Sequence, residues 1–359
     1  MSALGGRSTP AAAGEFAASL HDMLSAADVP ATARRWAAGD RAPGLALWRR
    51  LASLGVTGLA VPRKQGGLEA SPADLVAACA ELGHHAVPGP VAEPVAAVPA
   101  LLGALSEVSS PPAGPRVPGH WLAALAAGDL IATLAMPPWL PFAADAEAAG
   151  LVLLAEGGVV RVAGAGQRHR SVDAARSLSA VTGGEVIARD AGTPVADAFE
   201  LGTLACAAQL LGAGRALLAA SVRHAGTRVQ FGRPVGTFQA VKHLLADVAI
   251  ALEFAGPLLD AAAVAAGRRA VTTAPVTTGL GSTARDVSAA KVACSEAAAR
   301  AARAALQVHG AIGYTAEHDL SLWLTKVRAL AGAWGSAAWH RERVMAELAK
   351  EGTADEPHR

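Results

Sequence analysis

The chain has 359 residues, of which 52% are hydrophobic and 17% are charged. This composition provides for a large buried core and excludes an intrinsically disordered protein, and the length predicts two or three packed units. The formal net charge is +1, and the Lys and Arg residues form no long basic block. A nucleic-acid binder, or a protein held on an anionic membrane surface, is therefore not expected.

The cysteines and the termini indicate the compartment. Cys79, Cys206 and Cys294 lie far apart without C-x-x-C spacing, so we interpret them as buried small hydrophobic residues in a reducing compartment. Residues 1–14 contain no apolar signal core and, like the charged tail at 351–359, are predicted to be flexible. Every long apolar run is interrupted by a charge or a helix breaker. We expect a cytoplasmic protein without a membrane span.

The N-terminal region, residues 15–128, has a helical pattern that Pro and Gly interrupt. Leu47, Leu51 and Leu54 are separated by four and then three positions, which is helical spacing. A further helix is predicted over Asp74–Leu82, before a group of prolines that helices do not tolerate. This region is predicted to be an N-terminal helical domain.

The pattern changes over residues 129–199, which we predict to form a small, shortened β-domain. Two apolar runs, Leu151–Leu154 and Val159–Val162, lie on either side of the pair Gly157-Gly158. Short β-like runs across a Gly-Gly turn are typical of a β-hairpin.

Residues 200–350 are predicted to be a helical bundle. The most regular pattern has apolar residues separated by three, four, three and four positions, at Phe238, Val241, Leu245, Val248 and Leu252. Such a pattern is typical of a helix in an antiparallel bundle. A loop is predicted at 272–281, and another long helix is predicted from about Ser288 to Gln307.

Two long segments carry the most specific signal. Arg228–His243 reads RVQFGRPVGTFQAVKH, and Gln307–Asp319 reads QVHGAIGYTAEHD. With Leu54–Pro62, LGVTGLAVP, they closely resemble the signatures of the acyl-CoA dehydrogenase family, over most of the chain. The resemblance implies a mainly α, three-domain fold with a small middle β-domain and a C-terminal four-helix bundle.

The first segment has side chains suited to a dinucleotide. Arg228 supplies a permanent cation and a fork of donors for a pyrophosphate. Gln230 and Gln239 offer neutral donors and acceptors, and Phe231 offers a flat apolar face. Taken singly, each could be a solvated surface residue, and only their joint occurrence favours a binding site. In the family, the positions that match these four residues contact flavin adenine dinucleotide (FAD).

The second segment resembles the part of the family that contacts the same FAD across a subunit interface, with Gln307 and the turn at Gly310 as the matching residues. The resemblance thus implies FAD, an acyl-CoA substrate, a homo- or hetero-oligomer with shared flavin sites, and an external electron acceptor such as an electron-transfer flavoprotein. His243 and His309 have no partner at metal-ligand spacing, so no metal site is predicted.

The catalytic base of the family is missing from its usual place. Dehydrogenation of an acyl-CoA between its α and β carbons needs a carboxylate to remove a proton. Most members carry it in a Glu-Gly-Thr-like turn, where this chain has Trp334-Gly335-Ser336. A minority place it on an earlier helix, where an ungapped count lands on Gly202. Glu200, two positions away, is the catalytic candidate; the competing interpretation is a helix N-terminal charge that faces water.

Two functions from different classes follow. The first is an acyl-CoA dehydrogenase-type flavoenzyme of fatty acid or sterol catabolism. The second is a non-catalytic partner subunit, as in bacterial heteromeric acyl-CoA dehydrogenases in which one subunit has lost its base. The middle region supports the second, because Met136–Trp139 stands where the family has a Thr- or Ser-containing strand that hydrogen-bonds the flavin. Redirected flavin chemistry and a cofactor-free interaction protein have no positive support.

Overall fold

The computed structural model describes three stretches of chain: residues 10–107, 119–271 and 282–354. The loop predicted at 272–281 lies outside the described residues, as do residues 1–9 and 355–359 of the two termini predicted to be flexible.

Six helices form the N-terminal part of the described chain: α1 (Pro10–Ser25), α2 (Val29–Ala37), α3 (Ala42–Ser53), α4 (Pro72–His84), α5 (Val98–Glu107) and α6 (Gly119–Ala127). The predicted helices around Leu47 and over Asp74–Leu82 are confirmed as α3 and α4. A capping box starts α4: Ser71 Oγ accepts a hydrogen bond from the Asp74 amide, and the Asp74 carboxylate accepts one from the Ser71 amide.

Seven strands form two small sheets in the middle region: β1 (Ala132–Ala135), β2 (Ala143–Ala144), β3 (Leu151–Glu156), β4 (Val159–Val162), β5 (Gly164–Arg170), β6 (Ser177–Thr182) and β7 (Val186–Ala188). The strand orders are β1-β3-β4-β7 and β2-β6-β5. The predicted hairpin is confirmed, because β3 and β4 pair antiparallel across Gly157 and Gly158, which both have positive φ. In the same sheet, β1 pairs parallel to β3.

Five helices and a short hairpin complete the described chain: α7 (Gly192–Thr227), β8 (Val229–Gln230), β9 (Arg233–Pro234), α8 (Gln239–Val271), α9 (Thr283–His309), α10 (Leu320–Gly332) and α11 (Ala337–Ala354). Helices α7, α8 and α9 pack along one another, α4 packs on α7, and α11 packs on α9. The fold is therefore mainly α, with a small middle β-region and a C-terminal helical bundle, as predicted. The boundary predicted between residues 199 and 200 falls inside α7.

Small residues allow α4 and α7 to approach closely. A Cβ atom on Gly83 would lie 2.1 Å from the carbonyl oxygen of Gln209, and one on Gly212 would lie 1.8 Å from that of Ala80. Neither position has room for any side chain. The Ala- and Gly-rich composition thus serves tight helix packing here.

The bundle helix α8 has two apolar faces. Val248 and Leu252 are buried, which confirms the predicted core-facing side of the helix. On the other face Ile250, Phe254 and Leu258 are exposed. By length and composition alone, two helices could cross a membrane: α7, whose most apolar window is 72% buried in the fold, and the part of α8 at Gln239–Arg268, whose window is 39% buried. High burial is typical of a core helix, and the open face of α8 is an unpaired apolar stripe.

Candidate functional site

The residues predicted to bind FAD lie on an exposed hairpin at the end of α7. Arg228 caps the helix, and the β8–β9 pair places Gln230 opposite Arg233. Phe231 and Gly232 make the turn, with φ of 52° and 77°. A positive φ costs a non-glycine residue about 1–2 kcal/mol, yet the Phe231 side chain is 92% exposed and makes no core contact that repays it. Strain of this kind is typical of segments that bind another molecule.

The polar side chains of the hairpin, and Gln239 at the start of α8, are also at the surface. Arg228, Gln230 and Gln239 are all exposed. The Arg233 guanidinium lies over the Phe238 ring, 4.2 Å from its centroid, and this cation–π contact stiffens the base of the hairpin. A cation, two amides and an aromatic ring are therefore presented outward together.

The second predicted segment lies at the same end of the bundle. Gln307 is exposed near the end of α9, and Gly310, with φ of 63°, opens a short 3-10 turn. The His309 ring stacks on His224 of α7 at a centroid distance of 4.3 Å, and His309 Nδ1 donates to the Ala305 carbonyl at 2.8 Å. Burial lowers the pKa of both histidines, so two neutral rings hold the ends of α7 and α9 together.

The two positions that the resemblance assigns to the catalytic base are in direct contact. The Trp334 indole is 1% exposed and lies over Gly202, where a Cβ atom would meet the ring at 2.3 Å. The Trp334 ring therefore fills the space at both position 334 and position 202, because Gly202 has no side chain that would collide with it. Neither position carries a group that can accept a proton.

The backbone around Trp334 is fixed from several sides. Lys291 Nζ donates to the Leu330 carbonyl at 3.1 Å, and burial lowers the pKa of this lysine. His340 Nε2 donates to the Trp334 carbonyl at 2.8 Å, and its Nδ1 accepts from Ser288 Oγ at 3.0 Å. These bonds hold Trp334 at a φ of 60°, which few tryptophans adopt.

Glu200, the candidate base, is buried and paired. Since α7 begins at Gly192, Glu200 lies two turns inside the helix and is 6% exposed. The alternative interpretation of Glu200 as a helix N-terminal charge that faces water is therefore wrong. Both of its carboxylate oxygens accept hydrogen bonds from Arg343 of α11, Oε2 at 3.1 Å and Oε1 at a shorter distance. A bidentate pair of this kind occupies lone pairs on both oxygens of the carboxylate.

Aromatic rings close the space between the middle sheets and the bundle. Trp139, which follows β1, lies 5.2 Å from Phe199 and 5.6 Å from Trp339, between ring centroids. Arg343 lies 5.7 Å from the Phe199 centroid. The Met136–Trp139 segment thus packs on the helices where the family has its flavin-bonding strand.

A carboxyl group that the sequence analysis missed lies on the other side of Trp334. Glu93 is 3.8 Å from Arg176, and burial raises its pKa although Arg176 opposes the shift. Both residues line a cavity of ≈ 10 Å³ with Gln209 and Trp334. Such a cavity holds about one water molecule, so no acyl chain fits there. The sequence around Glu93 gave no motif that marks it.

Comparisons with known proteins establish the family of the chain. The model of the acyl-CoA dehydrogenase N-terminal domain matches residues 13–107, and the model of the C-terminal domain matches residues 190–349. The chain is also 30% identical over 300 residues to the acyl-CoA dehydrogenase IpdE2 of Mycobacterium tuberculosis, across 83% of this chain and 85% of that protein. The chain belongs to the acyl-CoA dehydrogenase family.

Solved structures show the same fold. The ChsE4–ChsE5 complex from Mycobacterium tuberculosis includes a chain that aligns with a TM-score of 0.76 and 22% identity, covering 98% of this chain and 100% of that one. A variant of the Tcur3481–Tcur3483 steroid ACAD aligns with a TM-score of 0.76 and 20% identity, over 95% of this chain and 98% of that one. At these identities the likeness establishes the fold alone.

The residues present fit FAD on one side only. The exposed Arg228 hairpin and the Gln307 segment have the charge, amides and ring that a dinucleotide needs, on a surface that another subunit can reach. The chain's own crevice is filled by the rings of Trp139, Phe199 and Trp334.

Proposed function

We propose that this chain is the non-catalytic subunit of a heteromeric acyl-CoA dehydrogenase. It supplies the Arg228 and Gln307 segments to an FAD site that it shares with a base-carrying homologue. The observation that carries the proposal is the packing of Trp334 over Gly202, because it removes the carboxylate and the space for the reacting thioester together.

The remaining carboxylates near this position do not restore a base. Glu200 is held by Arg343 on both oxygens, and a base must approach the substrate proton within hydrogen-bond reach. Glu93 lines the ≈ 10 Å³ cavity, which is too small for an acyl chain. A self-sufficient dehydrogenase, the other function considered, would need one of these groups to be released and a substrate cavity to open.

The surface supports an assembly with a homologue. The hairpin turn at Phe231 and the 3-10 turn at Tyr314 expose aromatic side chains, and α8 exposes Ile250, Phe254 and Leu258. Apolar side chains that a single chain leaves exposed in one region are typical of subunit interfaces. Two of the solved structures with this fold, the ChsE4–ChsE5 complex and the variant of the Tcur3481–Tcur3483 steroid ACAD, are each named for two proteins.

In this assembly each residue of the hairpin has a defined part. Arg228 binds the pyrophosphate, Gln230 and Gln239 bond the ribose or adenine edges, and Phe231 packs on the cofactor. Bound FAD supplies the acceptor for the substrate hydride. The base-carrying homologue removes the α proton, and an external acceptor such as an electron-transfer flavoprotein takes the electrons. We place the complex in the cytoplasm.

The test compares the chain purified alone with the chain co-expressed with a base-carrying homologue. Visible absorption gives the flavin content, light scattering gives the mass, and acyl-CoA-dependent bleaching gives the activity. We expect flavin and bleaching only in the complex. A flavin-loaded homo-oligomer of this chain that is bleached by acyl-CoA would refute the proposal.

Two variants of this chain sharpen the test within the complex. Arg228→Ala is expected to lower flavin content at least about tenfold, because it removes a charge-assisted contact to the pyrophosphate. Arg189→Ala, at an exposed arginine of the middle region, is the matched control and leaves flavin unchanged. Glu200→Gln is expected to keep bleaching in any complex that assembles; its loss with flavin retained would make Glu200 the base.

A further inference from the structure

Four side chains of types that bind metal ions converge between α1 and α4. His21 comes from α1, Glu81 and His84 come from the last turn of α4, and His85 is the C-cap of that helix. One ring nitrogen from each of the three histidines lies within 4.8 Å of the other two. Glu81 Oε2 lies 2.8 Å from His21 Nδ1, so its carboxylate belongs to the same cluster.

The distances in this cluster fit a bound ion. His85 Nε2 lies 3.2 Å from His21 Nδ1 and 3.9 Å from Glu81 Oε2. With the 2.8 Å from His21 Nδ1 to Glu81 Oε2, these distances form a triangle whose circumcentre, in the plane of the three atoms, lies about 2.0 Å from each. This is close to the bond length of Zn²⁺ to imidazole nitrogen and carboxylate oxygen. We propose that His21, Glu81 and His85, with His84 as a further ligand, form a binding site for one divalent transition-metal ion, with Zn²⁺ the best match.

Hydrogen bonding alone satisfies these atoms poorly. His21 Nδ1 lies within 3.2 Å of both Glu81 Oε2 and His85 Nε2. If His21 Nδ1 carries a proton, that single N–H can point well at only one of these two atoms. If His21 Nδ1 and His85 Nε2 both carry a proton, the two N–H groups face each other as donors. A metal ion accepts a lone pair from all three atoms at once. Two or three imidazoles with one carboxylate are a donor set that suits Zn²⁺.

The helix that carries most of the ligands is rigidly held. Trp323 Nε1 donates to the His84 carbonyl at 2.8 Å, and Lys326 Nζ donates to the Val87 carbonyl at 3.0 Å. Both donors lie on α10, so the end of α4 is fixed to the bundle. On the other side, Leu20 and Leu24 of α1 are buried in the main core. Ligands held in place by packing lose little freedom when an ion binds.

The site also has a path for the ion to enter. His84 and His85 line a cavity of ≈ 340 Å³ between α4, α7 and α10, and the His21 side chain is 44% exposed. An ion at this place would tie α1, the first described helix, to α4. The role we assign to the ion is structural, as a clip between the N-terminal helix and the remainder of the fold.

The test uses the full chain, co-purified with its partner if it needs one, with any histidine tag removed and metals stripped. Zinc is added, unbound zinc is removed by gel filtration, and metal per chain is measured by mass spectrometry of the elements. Cobalt replaces zinc in a parallel titration, because four-coordinate Co²⁺ gives strong visible absorption. We expect one ion per chain and a higher Tm with zinc than without it.

The variants His21→Ala and His85→Ala are each expected to weaken metal binding at least about tenfold and to abolish the zinc-dependent rise in Tm. Glu81→Gln, which keeps the shape of the side chain, tests the carboxylate. His120→Ala, at an exposed histidine of α6, is the matched control and binds as the wild type does. Circular dichroism and Tm without metal show that each variant is folded.

Three outcomes overturn the proposal. They are no retained metal in the wild type, equal retention in the wild type and both histidine variants, and half-saturation only at millimolar zinc, which identifies surface chelation. None of these readouts depends on flavin or on dehydrogenation, so failure here leaves the proposed function untouched, and the reverse also holds.

Discussion

The Trp334 region departs from the family pattern, the Arg228 hairpin keeps it, and the two regions have opposite physical characters. Around Trp334, aromatic rings and paired charges fill the space in which the family does its chemistry, and the indole is 1% exposed. On the hairpin, Phe231 is 92% exposed on a backbone of positive φ. Under the proposed function, the packed site would have lost catalysis while the exposed hairpin keeps the side chains that bind a cofactor for a neighbouring subunit.

Removal of the Trp334 side chain is expected to have the largest effect on stability, and it tests whether this region is tightly packed. Trp334→Ala is expected to lower the free energy of unfolding by about 3–5 kcal/mol, because it leaves a large cavity in a packed core. Urea unfolding followed by circular dichroism measures the change. Trp139→Ala, at a ring that is 37% exposed, is the control and should cost less than half as much. Equal losses of unfolding free energy in the two variants would mean that the Trp334 ring is no more tightly packed than the Trp139 ring.

A pH titration tests the same packing through His340. Burial, with help from the nearby cations Lys291 and Arg343, lowers the pKa of His340 to about 4 from its ordinary 6.5. Because the unfolded chain then binds more protons between these values, stability should fall as the pH drops from about 6.5 to about 4. We expect His340 to account for roughly 2–3 kcal/mol of that fall.

The measurement is the free energy of unfolding at several pH values for the wild type and His340→Gln. The variant should show a shallower dependence in this window. Some slope will remain, since burial also lowers the pKa of His85 to about 4. Parallel curves for the two proteins would show that His340 can be protonated inside the fold without cost.

Gly202→Ala tests the contact from the other side. A Cβ atom at this position would lie 2.3 Å from the Trp334 ring, and an overpacked core costs about 1–3 kcal/mol. The smaller ring in Gly202→Ala/Trp334→Phe should recover part of this loss relative to the sum of the single changes. A double-mutant cycle on the unfolding free energy measures the coupling between the two residues. Strictly additive changes would mean that residues 202 and 334 do not interact, against the contact described above.

Removal of the exposed Phe231 ring is expected to have the smallest effect on stability, in contrast to removal of the buried Trp334 ring. Phe231→Ala should change the unfolding free energy of the isolated chain by less than about 0.5 kcal/mol, because the ring makes little contact with the core. The same change should lower flavin retention in the heteromeric complex, measured by absorption after gel filtration. A marked loss of stability in the isolated chain would place Phe231 in its fold, against the proposal.

The order of helices, strands and helices could be predicted from the sequence because it depends on local periodicity. The steps through Val248 and Leu252, and the Gly157-Gly158 turn, indicated α8 and the β3–β4 hairpin correctly. The start of α7 at Gly192 escaped prediction, since Thr193, Pro194 and the alternation that follows give no clear helical face.

The sequence predicted which residues occupy the individual positions of the site, but not the contacts that distant segments make with one another. The substitution of Trp334 and the neighbouring Gly202 both came from ungapped counting, but their contact depends on how α7 packs against the turn after α10. The Glu200–Arg343 pair joins residues 143 positions apart. His21 lies 60 positions from Glu81, so the sequence shows only the Glu81, His84 and His85 part of the cluster and not the residue of α1 that completes it.

The contact between Trp334 and Gly202 also makes it difficult for single substitutions to restore a catalytic carboxylate. A carboxylate restored at 334 alone would leave an empty space above a glycine, and one restored at 202 alone would collide with the indole. Each one-step route back to an independent enzyme therefore passes through a less stable protein. If the chain has the proposed function, its dependence on a partner is therefore preserved by the packing of its core as well as by selection for the partnership.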